Sequence, residues 1–411
     1  MEVKAGFKQT EYGTIPDDWG LLELRNIATY RRGSFPQPYG LSKWYDDVSG
    51  NPFIQVVDVT DEMKLKPETK KRLSAEAEKM SVFAKKGSVI ISLNGSVGRV
   101  ALTHYDGFID RTLLLFESFL VPIDKYYFLY ALSTVFREEE KKAPGAILKT
   151  ITKEHLSNFL LPLPKIAEQE AIAAALSDAD ALIEALEQLL AKKRQVKQGA
   201  MQELLSGKRR LVESGKWEKL TLGKLAKIQR GASPRPIDSP IWFDEQSSVG
   251  WVRISDVTKS GMYLYETTQR LSPLGVENSR PIKCESLIMS ICATVGRPII
   301  TKIDTCIHDG FVVFDNLAAD KHFLYYVLKS IEGDWSKHGQ TGSQMNLNTE
   351  LINRTEVSIP STLAEQTAIA EVLGEMDAEI AALEEKLSKA RLVKQGMMQE
   401  LLTGKIRLNH D

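Results

Sequence analysis

A long internal repeat constrains this chain more than any other feature of its sequence. Ala167-Glu168-Gln169 returns as Ala364-Glu365-Gln366, and the two copies then match without a gap to Leu211 and Leu408. Most positions in that stretch are identical, among them Lys197–Gly199 with Lys394–Gly396 and Met201–Leu205 with Met398–Leu402. A weaker match precedes each copy: Trp19 with Trp217, Arg32-Gly33 with Arg230-Gly231, Asp58-Val59 with Asp256-Val257, and Ser92–Arg99 with Ser290–Arg297. Solenoid units repeat every ~20–50 residues. This period is far longer, so what is duplicated is a globular domain followed by a helix. The order is domain, helix, domain, helix, with boundaries expected at 1–162, 163–208, 209–359 and 360–411. Helices that stay alike while domains diverge imply that something meets both helices in the same way while the domains do different jobs.

The helical copies carry a sustained heptad seam. Ile172, Leu176, Ala179, Ile183, Leu186 and Leu190 alternate spacings of four and three, as do Ile369, Leu373, Met376, Ile380, Leu383 and Leu387. That pattern keeps one stripe facing a partner helix. Each helix begins acidic (Glu168, Asp178, Asp180, Glu184; Glu365, Glu371, Glu375, Asp377) and ends basic (Lys192, Arg194, Lys197; Lys389, Arg391, Lys394). This order suits the helix dipole. A plain solvated charged face is the alternative reading. The topology favours antiparallel pairing, because the domain between the helices returns the chain near its entry point. Such pairing would also set the acidic half of each helix beside the basic half of the other. Gly199 and Gly396 each cost a helix about 1 kcal/mol relative to alanine. Their retention in both copies suggests close approach of another backbone, from within the pair or from a partner subunit; a plain kink is the alternative. Two near-identical antiparallel helices have an approximate two-fold axis and so offer two equivalent docking surfaces.

The globular parts read as mixed α/β, which makes the whole α+β. Phe53–Val57, Ser88–Leu93, Leu113–Phe116 and Phe311–Phe314 read as strands bounded by Gly, Asp and Asn, and Tyr126–Phe136 and Phe323–Lys329 as short helices. The expected architecture is two mixed α/β globular domains separated by two long antiparallel coiled-coil helices.

Composition excludes more than it selects. No run of about 18 apolar residues suggests a membrane span, and Met1–Trp19 lacks the apolar core of a signal peptide. Cys284, Cys292 and Cys306 form no CxxC pair, which fits a reducing cytoplasm. The net charge of −1 does not announce a nucleic-acid binder. There is no GxxxxGK[ST] phosphate loop and no HExxH. No AdoMet-binding glycine motif and no N/D-P-P-Y/F motif is present either, since Asn51-Pro52-Phe53 lacks the second proline. Catalysis is therefore expected to belong to partners.

Phe7–Trp19 (FKQTEYGTIPDDW), Ser92–Leu102 (SLNGSVGRVAL) and Ala364–Leu408 with its earlier copy resemble Type I restriction-modification specificity subunits, the HsdS family. The resemblance spans nearly the whole chain and carries several implications. Each target-recognition domain would read one half of a bipartite site in double-stranded DNA, asymmetric because the domains differ. The helices would fix the gap and dock two adenine-N6 methyltransferase (HsdM) subunits, which ATP-dependent restriction (HsdR) subunits join. No cofactor is expected in this subunit; AdoMet, ATP and Mg belong to its partners. Two other readings remain at this point: the recognition subunit of a combined restriction-methylation enzyme, and a coiled-coil adaptor that never touches DNA.

Base reading needs Arg for guanine or Asn and Gln for adenine on short loops, while phosphate contacts need cations, hydroxyls or amides. In the first domain the candidates are Arg31, Arg32, Ser34 and Gln37 on one loop, then Asn94, Ser96 and Arg99 around the GSVG turn, and Lys149 and Thr150 in a late loop. In the second they are Arg230, Ser233 and Arg235, then Thr294 and Arg297, and Gln340, Ser343, Gln344 and Asn346 in a loop rich in Gln and Asn. Asp58 and Asp256 leave two readings open, an acceptor for cytosine or a turn cap.

Overall fold

A computed structural model describes residues 5–142, 151–212, 215–337 and 347–408. The chain divides into two compact units, Met1–Glu187 with Lys386–Asp411, and Gln188–Glu385. Each unit holds one recognition domain, the first half of one long helix and the second half of the other. The two long helices are Ile166–Leu204 and Leu363–Leu401.

In the first unit the recognition domain is built from two four-stranded sheets. One contains Lys71–Leu73, Asn51–Ile54, Gly107–Ile109 and Val82–Ala84, in that order; the other contains Ala28–Arg32, Leu113–Phe119, Val89–Ser92 and Val100–Leu102. The all-buried run Val89–Ser92 and the alternating Ala28–Arg32 explain why the second sheet has a central and an edge strand. The helix Lys125–Lys142 covers this sheet, and Tyr127, Phe128 and Leu132 are almost fully buried in the same core as Ile91 and Leu114. It is longer than the Tyr126–Phe136 expected from sequence. The strand expected over Phe53–Val57 stops at Ile54, because Asp58 turns the chain. Its carboxylate accepts from the Gln55 and Lys70 amides, at 2.9 Å each, and Val56–Asp58 becomes a 3-10 turn.

The second unit repeats this plan. Gln269–Arg270, Gly250–Val252, Thr305–Ile307 and Arg280–Ile282 form one sheet; Lys227–Arg230, Phe311–Asp315, Leu287–Ser290, Pro298–Thr301 and Tyr263–Leu264 form the other. The helix Lys321–Ser330 fills the place of the first domain's long helix. Asp256 accepts from Arg253 N at 2.9 Å and Thr268 N at 3.2 Å, so the turn-cap reading holds for both aspartates, each almost wholly buried with both oxygens engaged.

Within each unit the helix halves pack antiparallel along the heptad seam. Ile172 and Leu176 share a core with Met398, Leu401 and Leu402 in the first unit; Ile369 and Leu373 share one with Leu204 in the second. Opposite charges meet as expected: Arg391 with Glu187 and Lys394 with Asp180 in the first unit, Arg194 with Glu384 and Lys197 with Asp377 in the second. Tyr130 and Tyr326 tie each domain's helix into this seam, donating to Asp180 at 2.6 Å and to Asp377 at 2.8 Å.

A further contact recurs at each helix start. Glu168 is buried and accepts from Arg407 (2.6 and 2.9 Å) and from Trp19 Nε1 at 3.1 Å. Glu365 is buried and accepts from Arg210 and from Trp217 Nε1 at 3.4 Å. A carboxylate at a helix N-terminus suits the dipole, and the arginine comes from the segment that follows the other helix. Side chains at Gly199 and Gly396 would meet nothing within 4 Å. Close approach within the pair, one of the two expectations for these glycines, is therefore not found. Among the described residues, no helix is long and apolar enough to cross a membrane.

Candidate nucleic-acid interface

The first predicted loop and the GSVG-type loop of each domain converge on one short turn. That turn carries the chain from one sheet to the other, through Asp110–Thr112 in the first domain and His308–Gly310 in the second. Gly33 N donates to Leu113 O and Gly231 N to Phe311 O, each at 2.9 Å. The approach is so close that a Cβ on Gly33 would lie 2.2 Å from Asp110 O, and one on Gly231 2.1 Å from His308 O. Glycine is therefore demanded by the crossing turn in both copies. Leu93 N donates to Thr112 O and Ile291 N to Gly310 O, each at 2.8 Å, which roots the base of the GSVG-type loop on the same turn. The first described residues after the late loops pair there too: Ile151 N donates to Leu93 O at 3.0 Å and Leu347 N to Ile291 O at 2.9 Å. Lys149, Thr150, Gln340, Ser343, Gln344 and Asn346 lie outside the described residues.

Arg31 and Arg32, expected on the loop, instead close the edge strand Ala28–Arg32, as Arg230 closes Lys227–Arg230. The side chains here differ in how firmly they are held. Arg32 donates through Nε to Arg111 O, and Arg230 through Nε to Asp309 O at 2.6 Å. Arg31 is exposed, 3.6 Å from Glu117. Ser34 donates to Met80 O at 2.9 Å, and Gln37 accepts from Tyr39 N at 3.2 Å. Asn94, with its amide turned so that nitrogen donates to Leu93 O, accepts from Arg32 at 3.2 Å. That pair joins the first loop to the GSVG loop. In the second domain Ser233 donates to Asp309 Oδ1 at 2.8 Å, and Arg235 reaches Oδ2 at 3.4 Å. Burial opposes ionisation of Asp309, but the Ser233 hydroxyl with His308, Arg230 and Arg235 outweighs it and holds the carboxyl below its usual range.

The GSVG-type loops close on buried serines. Ser92 Oγ donates to Ser96 O and accepts from Arg99 N at 2.9 Å; Ser290 Oγ donates to Thr294 O and accepts from Arg297 N at 3.3 Å. Ser96 is exposed and Thr294 half-buried at the tips. The Arg99 guanidinium instead turns to Asp61, at 2.8 and 3.1 Å, and to Val59 O at 3.1 Å. Arg297 donates to Ser260 O at 3.2 Å. These two arginines thus have protein partners that the sequence reading did not foresee. It also missed Arg111 and Asp309, the residues at the centre of each cluster. Aligning the copies exposes them only to a reader looking for difference, since the two share a position and not a chemistry. Among the described residues, no group of three or more His, Cys, Asp or Glu side chains is placed to hold a metal ion.

Each unit thus carries a β-rich domain on halves of the two long helices, with two of its predicted loops gathered at one turn. The Type I restriction modification DNA specificity domain matches residues 16–195 and again 214–390. The chain belongs to that family, the Type I restriction-modification specificity subunits, and carries its domain twice. It is 22% identical over 438 residues to the Type I restriction enzyme MjaVIII specificity subunit of Methanocaldococcus jannaschii, covering 98% of this chain and 96% of that one. The MjaX specificity subunit of the same organism is 30% identical over 205 residues, but that match spans only 49% of this chain and 46% of the relative. The fold is that of the S subunit from M. genitalium (TM-score 0.61, 15% identity, 98% of each chain). It also matches the HsdS subunit from Thermoanaerobacter tengcongensis (TM-score 0.50, 16% identity, 97% of this chain and 100% of that one).

Proposed function

We propose that this chain is the sequence-reading subunit of a Type I restriction-modification complex, acting in the cytoplasm and doing no chemistry itself. Each recognition domain reads one half of an asymmetric, two-part site in double-stranded DNA. The helix pair sets the gap between halves and presents equivalent surfaces to two methyltransferase subunits, which restriction subunits join. AdoMet, ATP and Mg act on those partners. The observation that carries this reading is the pairing of a retained scaffold with diverged loops. Both domains use the same glycine, the same sheet-crossing turn and the same serine-closed loop, yet differ in the side chains mounted there. Arg31, Arg32, Ser34, Gln37, Asn94 and Ser96 in one domain, and Arg230, Ser233, Arg235 and Thr294 in the other, are the DNA-facing set. Arg99 and Arg297 complete it from the base of the loops, and Lys149, Thr150, Gln340, Ser343, Gln344 and Asn346 from the late loops.

Selection of bound duplexes from randomised DNA, with this chain co-expressed with the methyltransferase encoded beside it, tests the proposal. Two short, different half-sites at one gap support it. A single contiguous motif means that one domain alone reads sequence, and no enrichment by a stable complex returns the adaptor reading.

A further inference from the structure

The duplication supplies an internal comparison between two sites built on one scaffold. Arg111 and Asp309 occupy the same place in the two copies, on the turn that crosses between sheets. Their backbones do the same work: each carbonyl accepts the Nε of the arginine that ends the edge strand, Arg32 in one domain and Arg230 in the other. Neighbouring backbone bonds, Leu113 N to Asp110 O at 2.9 Å and Phe311 N to His308 O at 3.0 Å, also match. The side chains carry opposite charges.

Neither side chain is buried in a core. The Arg111 side chain is exposed, and the contact its guanidinium makes is with the Tyr39 ring, at 5.4 Å. Among the described residues no carboxylate pairs with it. The Asp309 side chain is 42% exposed; Ser233 (2.8 Å) and Arg235 (3.4 Å) reach it from the recognition loop, and His308 Nδ1 lies 3.7 Å away on the turn itself. A carboxylate has about four lone-pair sites, so Asp309 keeps capacity to accept from outside. Retained backbone with inverted charge is what a position selecting different ligands on one frame requires.

We propose that this position sets which base each domain reads: Arg111 selects guanine in one half-site, and Asp309 selects cytosine in the other. The inference rests on the DNA-reading function proposed above. Its chemistry follows from the major-groove pattern, where guanine presents two acceptors that a guanidinium bonds with two N–H groups, and cytosine presents an amine that a carboxylate accepts. In the second domain Ser233 and Arg235 hold the carboxylate in place.

The test repeats the randomised-DNA selection on the full chain with its methyltransferase partner, for the native protein, Arg111→Ala and Asp309→Asn. Both substitutions spare the turn: the first leaves the Arg111 carbonyl that holds Arg32, and the second keeps the size of the side chain and an oxygen for Ser233. Thermal melting of each variant checks folding. Arg111→Ala is expected to erase a guanine preference at one base pair of one half-site and to weaken binding to the native site on the order of 10-fold. Asp309→Asn is expected to move one base of the other half-site from cytosine toward adenine, because a carboxamide matches the donor and acceptor of adenine. Uniformly weaker binding with an unchanged motif would overturn the inference, as would changes by both variants in the same half-site. A native protein that selects no two-part motif would instead overturn the DNA-reading proposal beneath it.

Discussion

Removing the Arg407 side chain should destabilise the first unit by about 3 kcal/mol. The guanidinium makes two parallel contacts with Glu168, at 2.6 and 2.9 Å, and two with Asp18, at 2.9 and 2.8 Å. Glu168 is 5% exposed, whereas the Asp18 side chain is about half exposed. These two carboxylates have different worth. An exposed pair contributes about 0–1 kcal/mol, whereas breaking a buried pair costs about 3–5 kcal/mol because the remaining charge is left without its partner. The lower end applies here, since Arg407 retains some contact with solvent and Trp19 Nε1 still donates to Glu168 at 3.1 Å. In a folding unit of 150–250 residues each kcal/mol moves Tm by about 2–4 °C, so Arg407→Ala should lower the melting of this unit by about 6–12 °C. Arg407→Lys keeps the charge but loses the fork and should fall between. The assay is scanning calorimetry of the purified chain. A shift of Arg407→Ala below about 2 °C would refute the reasoning, because the buried carboxylate would then not depend on this partner.

Three other outcomes follow from the same structure. His308 is half-buried, the desolvation lowers its pKa from the ordinary value, and its Nδ1 accepts from Gly310 N at 2.9 Å, a bond only the neutral ring can make. A depressed folded-state value means that its contribution is complete above the unfolded pKa of about 6.5 and is lost as pH falls through the folded value. His308→Gln should thus lose less stability than the native chain between pH 7.5 and about 5 in urea melts; parallel losses would contradict this. Gly199→Ala and Gly396→Ala have open space around the added methyl, so each should stabilise the isolated chain by up to about 1 kcal/mol. Each should also weaken methyltransferase binding in pull-down titrations if a partner backbone approaches there, and unchanged binding would leave the glycines without that role. The net charge of −1 implies little counterion release. Fluorescence anisotropy should find only weak, shallowly salt-dependent DNA binding by the isolated chain, and nanomolar sequence-specific binding would contradict it.

Much of this architecture is legible in the sequence, because periodicity and duplication report backbone organisation directly. The seam residues Ile172, Leu176, Ile369 and Leu373 are fully buried, and the acidic and basic halves meet as their order along the helices demands. Less legible is whatever depends on a partner distant in sequence. Glu168 and Glu365 look like the first residues of an acidic helix face, yet they are buried under arginines that follow the opposite helix. Their retention in both copies was the available signal. Arg99 and Arg297 look alike at the end of a glycine loop, but Asp61 engages the first, and that pairing depends on a fold in which residues far apart in sequence become neighbours. The crossing-turn position was hidden for the opposite reason: a search for sameness passes over a position whose backbone is kept and whose charge is inverted.

The most direct test of the two-headed reading is a gap series. Once the two half-sites are known, binding by the complex is measured on duplexes that keep both and lengthen or shorten the gap by one base pair. One base pair moves a half-site by about 3.4 Å and turns it by about a tenth of a helical turn. If the helix pair fixes the distance between two readers, each change should weaken binding by about 10-fold or more, a loss of about 1.4 kcal/mol. Equal affinity across all three gaps would contradict the account, since the two domains would then not be reading as one rigid pair.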